Sequence, residues 1–362
     1  MLESPFTLLF LYLLVVFIFF AQSKKKLLDS QNNFFFYVSC VLMIFVCAAR
    51  GEGIGADTEV YKMSYDSGMF VDTVSYERTW IYICSFVKFF LKKDFDVVIL
   101  IYSLICFLPV IFVVRKETKY PYMAFYIFIV IGLFFANFNI MRQCAAMSIC
   151  LYSFYLLRRK KYLFFALFCG FAILFHATAS VFFFIVFATY CFSKLSYKGK
   201  IMLLLFSLMI GPLFYGVINS LAVYASWDKY QNYKEYADTK SVNFFANFLV
   251  NIIHTCWTIL IYRHFKDFRE PNKFSYISMY LLSVVLANLF VYNIGINRIV
   301  FYAKYSAIIA IPYLWELYCS HNLSVKISYP NTFRCHLHYY FVFLFLMYIL
   351  SIFQNSNGVF PF

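Results

Sequence analysis

Apolar runs of 16 residues or more recur along this chain, separated by short polar segments. A straight helix needs about 20 apolar residues to cross a bilayer. Repeated runs near that length predict an all-α, polytopic membrane protein. A transmembrane barrel is excluded, because barrel strands alternate in polarity over about ten residues. Composition agrees, at 63% apolar and only 13% charged residues. A soluble domain is nearer half apolar and about a quarter charged. The first run, Pro5 to Gln22, has no basic segment before it, so it reads as a retained helix and not a cleaved signal.

The runs predict about twelve spans in a single integral-membrane domain, 1–362. They fall near 5–22, 33–49, 95–114, 121–137, 143–157, 161–176, 178–193, 201–225, 243–262, 274–292, 299–319 and 337–353. Lysines and arginines set the orientation, because they collect on the cytoplasmic side. With Lys24, Lys25 and Lys26 inside, 19 of the 31 basic residues become cytoplasmic, including the cluster Arg158 to Lys161. Both termini are then external. The stretch "YERTWIYICSFVKFFLKKDF" has too short an apolar core to span, and crossing would invert every later cluster. Residues 78–92 are expected to form a helix lying on the outer surface or re-entering it, anchored by Lys88, Lys92 and Lys93. Residues 50–94 and 227–242 are the expected external loops.

A net charge of +14 raises the question of nucleic acid. The charges sit in clusters between apolar runs, as membrane anchors do, so no nucleic-acid partner is expected. The eleven cysteines are scattered singly, with no CxxC. They read as buried thiols, without a metal or disulfide framework. No bound divalent cation is expected; the single Asp-Xaa-Asp pattern, Asp94-Phe95-Asp96, stands apart from the other polar motifs.

Polar residues gather in four places, all on the external side of this topology. They are "RGEGIGADTEVY" at 50–61, "NFNIMRQCAA" at 137–146, "NIGINRIVFYAKY" at 293–305, and His176 within "GFAILFHATASVFF". Intramembrane charges are usually functional, yet each residue also has a structural reading. Arg50 snorkels to the interface or holds a ligand. Arg142 and Arg298 start helices entering from outside, where a cation opposes the helix dipole. Asp57 caps a helix or does chemistry. Glu77 pairs with Arg78 or Lys88, or acts as a base. His176 is a satisfied buried histidine or a base. Lys304 reads as structural. Trp227, Tyr230, Tyr233 and Tyr236 are candidates for stacking on sugars.

The ordered set of motifs resembles the EpsG family of polysaccharide polymerases, which belong with the Wzy-type O-antigen and exopolysaccharide polymerases. The matching residues are Arg50, Gly55-Ala56-Asp57-Thr58, Tyr61, Glu77, Asn139, Arg142, Gln143, Ala145 or Ala146, His176, Arg298 and Tyr302. Thr178 or Ser180 stands for the serine that usually follows the histidine. The resemblance runs from about 45 to 320. It implies a GT-C-like helical architecture in the bacterial cytoplasmic membrane and no cofactor. The implied reaction transfers a growing glycan from undecaprenyl pyrophosphate to the terminal sugar of the next lipid-linked unit. A flippase and a chain-length regulator of the same pathway are the implied protein partners.

That reaction makes demands these residues can meet. Pyrophosphate leaves with developing charge, and arginine meets phosphate oxygens in pairs while staying charged. Arg50, Arg142 and Arg298 are the candidates. The acceptor hydroxyl needs a base, for which Asp57, Glu77 and His176 are available. Thr58, Tyr61, Asn139, Gln143 and Tyr302 are expected to support the substrate. Lipid tails need an apolar groove, which the composition supplies. A glycan ligase shares this chemistry. A flippase predicts internal repeats and charges lining mid-membrane; no repeat is seen. A membrane acyltransferase predicts a cytoplasmic donor site, against the external clustering. Sugar identity, linkage and stereochemistry are not encoded legibly.

Overall fold

The computed structural model describes residues 5–24, 32–55, 57–68, 77–224, 244–265, 274–290, 294–324 and 330–353. The expected loop 227–242, with its aromatic candidates, lies outside them. No strand forms among the described residues, and the expected all-α class holds. The helices are α1 (Pro5–Lys24), α2 (Asn32–Ala48), α3 (Thr58–Ser67), α4 (Arg78–Ser85), α5 (Phe95–Glu117), α6 (Pro121–Val130), α7 (Leu133–Asn139) and α8 (Met141–Arg158). They continue as α9 (Tyr162–Phe175), α10 (Val181–Ser193), α11 (Tyr197–Tyr224), α12 (Phe244–Tyr262), α13 (Tyr276–Phe290), α14 (Ile294–Lys304), α15 (Ala307–Ser324) and α16 (Pro330–Phe353).

Two of the described helices are long and apolar enough to cross a membrane, over Phe95–Glu117 and His336–Phe353. A third candidate is the pair α6 and α7, taken together. The expected straight span 121–137 is in fact this bent pair, with 54° between its halves. The bend sits at Gly132, whose φ of 85° ends α6 and is a conformation that other residues avoid. The expected span 299–319 is also two helices, α14 and α15, broken at Tyr305 and Ser306. Apolarity alone ran through both breaks without registering them.

The chain divides into two compact units. The first comprises Met1–Phe182, Ala307–Lys326 and Phe341–Phe362. Its centre is α8, which packs against α5 and α9. Most α8 side chains are buried, Gln143, Ser148 and Ser153 among them, as befits the central helix of the unit. Around it, α1 and α15 cover α6, and α2 covers α5. Phe135 stacks on Tyr348 with centroids 5.2 Å apart, fixing α7 against α16.

The second unit comprises Phe183–Ser306 and Ile327–Tyr340. Here α11 crosses α13 so closely that a Cβ on Gly211 would lie 2.4 Å from the Asn288 carbonyl oxygen. Small residues allow such approaches between membrane helices, and polar side chains join them. Asn288 donates to Ser207 at 3.0 Å and to Thr255 at 3.1 Å. His254 Nε2 lies 2.8 Å from the Tyr340 hydroxyl, which lies 3.1 Å from that of Tyr280. The sequence carried a trace of this knot, since Asn251, His254, Thr255 and Thr258 share one face of α12 by helical spacing.

The external loop of the sequence reading contains packed structure. Helix α3 ends on Gly68, in the left-handed conformation at φ 76°. Helix α4 continues as a π-helical turn, Phe86–Leu91. Trp80, Cys84 and Val87 are buried, whereas Tyr82, Phe86, Phe89 and Phe90 form an exposed apolar face. Lys88 donates to the carbonyls of Tyr65 and Asp66 at 2.6 and 2.9 Å, so it closes the end of α3. Tyr65 donates in turn to the Lys93 carbonyl at 2.5 Å.

Candidate active site in the first unit

The site is organised by the turn between α7 and α8. The loop after Arg50 folds back onto this turn at Gly55. Gly55 has φ 90°, and a Cβ there would lie 2.1 Å from the Phe138 carbonyl oxygen. Only glycine permits both the conformation and the approach. Thr58 then donates from Oγ1 to the same carbonyl at 3.2 Å. Thr58, expected to support substrate, is fully buried and serves as the clip that fixes the loop.

The clip sets the start of α3, which presents Tyr61 to Arg142. Arg142 Nε donates to the Tyr61 hydroxyl at 3.3 Å, and the guanidinium carbon lies 5.2 Å from the Tyr61 ring centre. Trp80 packs beneath, 4.9 Å from the Tyr61 ring and 5.9 Å from the guanidinium. These two rings hold the guanidinium as a cation–π shelf. Burial pushes the Tyr61 phenol above its ordinary range, while the Arg142 charge pulls it down. It therefore stays neutral near neutral pH and retains its own proton.

Arg142 Nη1 donates to Glu77 Oε2 in a direct ion pair. The sequence alternatives for Glu77 were Arg78 or Lys88; the partner is neither. The other carboxylate oxygen lies 4.0 Å from His176 Nε2. His176 is oriented from behind. Its Nδ1 accepts from the Thr178 backbone N–H at 3.3 Å and lies 2.8 Å from the Thr178 hydroxyl. With Nδ1 accepting, the neutral ring carries its proton on Nε2, facing Glu77. Thr79 completes the frame by donating to the Leu174 carbonyl at 2.6 Å, joining α4 to the end of α9.

Arg50 is the most unusual side chain here. It is 1% exposed, so it does not snorkel to water. Nη1 donates to the Cys47 carbonyl at 3.0 Å, and Nη2 lies 3.6 Å from Met141 Sδ. Phe138 lies under it, 5.3 Å from the guanidinium carbon. Nε has no hydrogen-bond partner among the described residues, and no described carboxylate pairs with Arg50. A buried cation without a counter-ion is costly unless something anionic visits it.

The structure thus brings Tyr61, Glu77, Arg142 and His176 together, with Arg50 against Phe138 and Met141 of the adjoining turn. Asp57 stands at the N-cap position of α3, but its side chain makes no capping bond. Gln143 is buried and Asn139 half-buried on the same turn. Arg298 and Tyr302 lie one helical turn apart on α14, in the second unit, and Tyr302 is buried. Among the described residues, no group of three or more potential metal ligands forms.

The sequence pattern of one family matches residues 33–362, nearly the whole chain and every residue of this site. The chain belongs to the EpsG family. EpsG proteins are Wzy-type polysaccharide polymerases. No curated protein and no solved structure matches the chain. Two site features escaped sequence reasoning: Trp80 as the shelf under Arg142, and the Phe138 carbonyl as anchor for the glycine loop. Trp80 had a faint signal, three residues after Glu77 in an otherwise featureless aromatic stretch. A backbone carbonyl has none. The EpsG membership gives the chain its chemical class, a polysaccharide polymerase in a membrane protein.

Proposed function

We propose that this chain joins oligosaccharide repeat units carried on undecaprenyl pyrophosphate into O-antigen, capsule or exopolysaccharide. The reaction takes place at the outer face of the bacterial cytoplasmic membrane. The observation that carries the proposal is the pairing of chemistries in one site. Arg142 pairs with Glu77 and Tyr61, His176 faces Glu77, and Arg50, a buried cation lacking a described carboxylate, touches Met141 on the same turn. Cations suit a departing pyrophosphate, and a carboxylate or imidazole suits an acceptor hydroxyl. In this reading Arg50, Arg142 and Arg298 hold the pyrophosphate. Asp57, Glu77 and His176 are the candidates for the proton-handling group. The exposed face of Tyr82, Phe86, Phe89 and Phe90 supports an interfacial position for α4. A flippase and a chain-length regulator are the protein partners proposed.

Purified protein supplied with defined lipid-linked units tests this. A ladder of chain lengths is the expected product. Transfer only to a lipid A core makes the protein a ligase, and movement of unchanged units across vesicles makes it a flippase. Arg298→Lys is expected to shorten the ladder, with transfer slowed about tenfold or more.

Orientation has its own test. Residues 66 and 160 are both exposed in the fold. With Asp66→Cys, an impermeant maleimide added outside whole cells is expected to label above the background of Cys191 and Cys256. With Lys160→Cys it is expected to label at background. The reverse pattern puts the site on the cytoplasmic face and removes the outer-face reaction.

A further inference from the structure

We infer that Glu77 is an exchangeable counter-ion: the donor's pyrophosphate displaces it from Arg142, and the released carboxylate is the base that takes the acceptor's proton. This rests on the polymerase reading above and assigns an order to its steps.

The argument starts from the guanidinium. An arginine offers two paired edges to a phosphate, one through both Nη atoms and one through Nε with Nη2. In the structure Nη1 is committed to Glu77, and Nε to Tyr61. Each edge therefore includes an occupied nitrogen. The Tyr61 hydroxyl is neutral, and the two rings keep the guanidinium in place whatever happens at its nitrogens. Glu77 carries the same sign of charge as the incoming group and competes with it directly. Between Tyr61 and Glu77, Glu77 is the one a pyrophosphate replaces.

Glu77 also has somewhere to go. Its second oxygen faces His176 Nε2, the protonated nitrogen, at 4.0 Å. A shift of about 1 Å brings that pair to hydrogen-bond distance. Thr178 holds the ring in this tautomer through two contacts to Nδ1. His176 is thus a positioning residue, and Thr178 positions it. While Oε2 is engaged by Arg142 it faces away from an acceptor hydroxyl's proton; once displaced toward His176 it is available to accept one. Pyrophosphate binding therefore switches on the base, and the donor must arrive before the acceptor reacts.

The step balances with these groups. The acceptor hydroxyl gives its proton to Glu77 as its oxygen bonds to the donor's anomeric carbon. The bond from that carbon to the pyrophosphate oxygen breaks. Its electron pair leaves on undecaprenyl pyrophosphate, whose charge Arg142 now meets through Nη1. Glu77 passes the proton to water as the product leaves, and it re-pairs with Arg142.

The test measures binding of farnesyl pyrophosphate, a soluble carrier analogue, to the purified full chain by calorimetry. Glu77→Gln is expected to bind it about tenfold tighter, because the competitor has lost its charge. The same variant is expected to polymerise at least about 100-fold more slowly. Tighter binding with slower turnover is a combination that a merely structural ion pair does not give. Glu59→Gln removes an exposed carboxylate of the same loop and controls for long-range charge; its affinity should stay within about twofold. Steady-state kinetics with lipid-linked donor and acceptor should show donor binding first.

Equal or weaker binding by a folded Glu77→Gln overturns the exchange and leaves the polymerase reading standing. Affinity gains of equal size in Glu59→Gln and Glu77→Gln also overturn it. Should Glu77→Gln not survive purification, Glu77→Asp withdraws the carboxylate by one methylene and is expected to bind tighter as well. Failure of both to fold makes the ion pair structural and ends the proposal. Folded wild type and Glu77→Gln that both ignore farnesyl pyrophosphate would remove the pyrophosphate site itself.

Discussion

Arg142→Lys is expected to slow glycan transfer roughly 10- to 100-fold while leaving the protein's abundance in the membrane unchanged. Lysine keeps the charge but presents a point where arginine presents a fork. A hydrogen bond to a charged group is worth about 1.5–3 kcal/mol, which sets that range through the rate equation. Arg142→Ala should cost more, roughly 100- to 1000-fold, the scale seen when an electrostatic donor to a developing anion is removed. It also leaves Glu77 half-buried without its partner. Cells carrying either variant should display single repeat units in place of long chains. The competing view makes Arg142 a helix anchor, resting on Tyr61 and Trp80. Lysine would then serve as well, and any loss with alanine would follow reduced abundance. Chain length and membrane abundance measured together decide between them. Normal long chains from Arg142→Lys would end the case for a catalytic fork.

Gly55→Ala is expected to have an effect of similar size from outside the reacting groups. At φ 90° an alanine is strained by about 1–3 kcal/mol. The larger problem is the Phe138 carbonyl oxygen, 2.1 Å from the added Cβ. That atom is backbone and cannot rotate away, so the loop must lift. Lifting breaks the Thr58 clip to the same carbonyl and carries Tyr61 away from Arg142. A misplacement of about 1 Å in a catalytic frame costs on the order of 100-fold. Thr58→Val is the graded companion, since it removes one hydrogen bond and leaves the backbone alone. It should cost about 1 kcal/mol in stability and much less in rate. Wild-type activity in Gly55→Ala would mean that the loop's approach to the turn does not set the site.

Several features were legible from the residues. The helical class followed from apolar runs too long for strands. The candidate residues Arg50, Tyr61, Glu77, Arg142 and His176 stood out because polar side chains are costly among apolar helices, so each needs a reason to be there. Their gathering in the fold has the same cause: buried charges and hydrogen-bonding groups seek one another. What failed were the breaks. Gly132 bends α6 from α7, and Ser306 separates α14 from α15. A hydropathy pattern averages over such single residues, whereas a backbone dihedral does not.

Partner choice was also beyond the sequence. Glu77 has Arg78 beside it and Lys88 within the same short helical segment, yet it pairs with Arg142, 65 residues away. Local spacing favoured the neighbours. Packing decided otherwise, because Trp80 buries one face of α4 and turns its start toward the α7–α8 turn and the end of α9. The same holds for Arg50, whose single charge the sequence marked as unusual. Only the fold showed it 1% exposed, with its Nη atoms on a carbonyl and a thioether. Sequence by itself determined the solvent this chain is built for and the few polar side chains that are candidates for its chemistry, because transfer free energies belong to each residue. Tertiary structure decided which of those side chains meet. Contacts across 65 or 91 positions depend on helix ends, bends and a glycine's approach to a carbonyl, and none of these has a free energy that a residue carries alone.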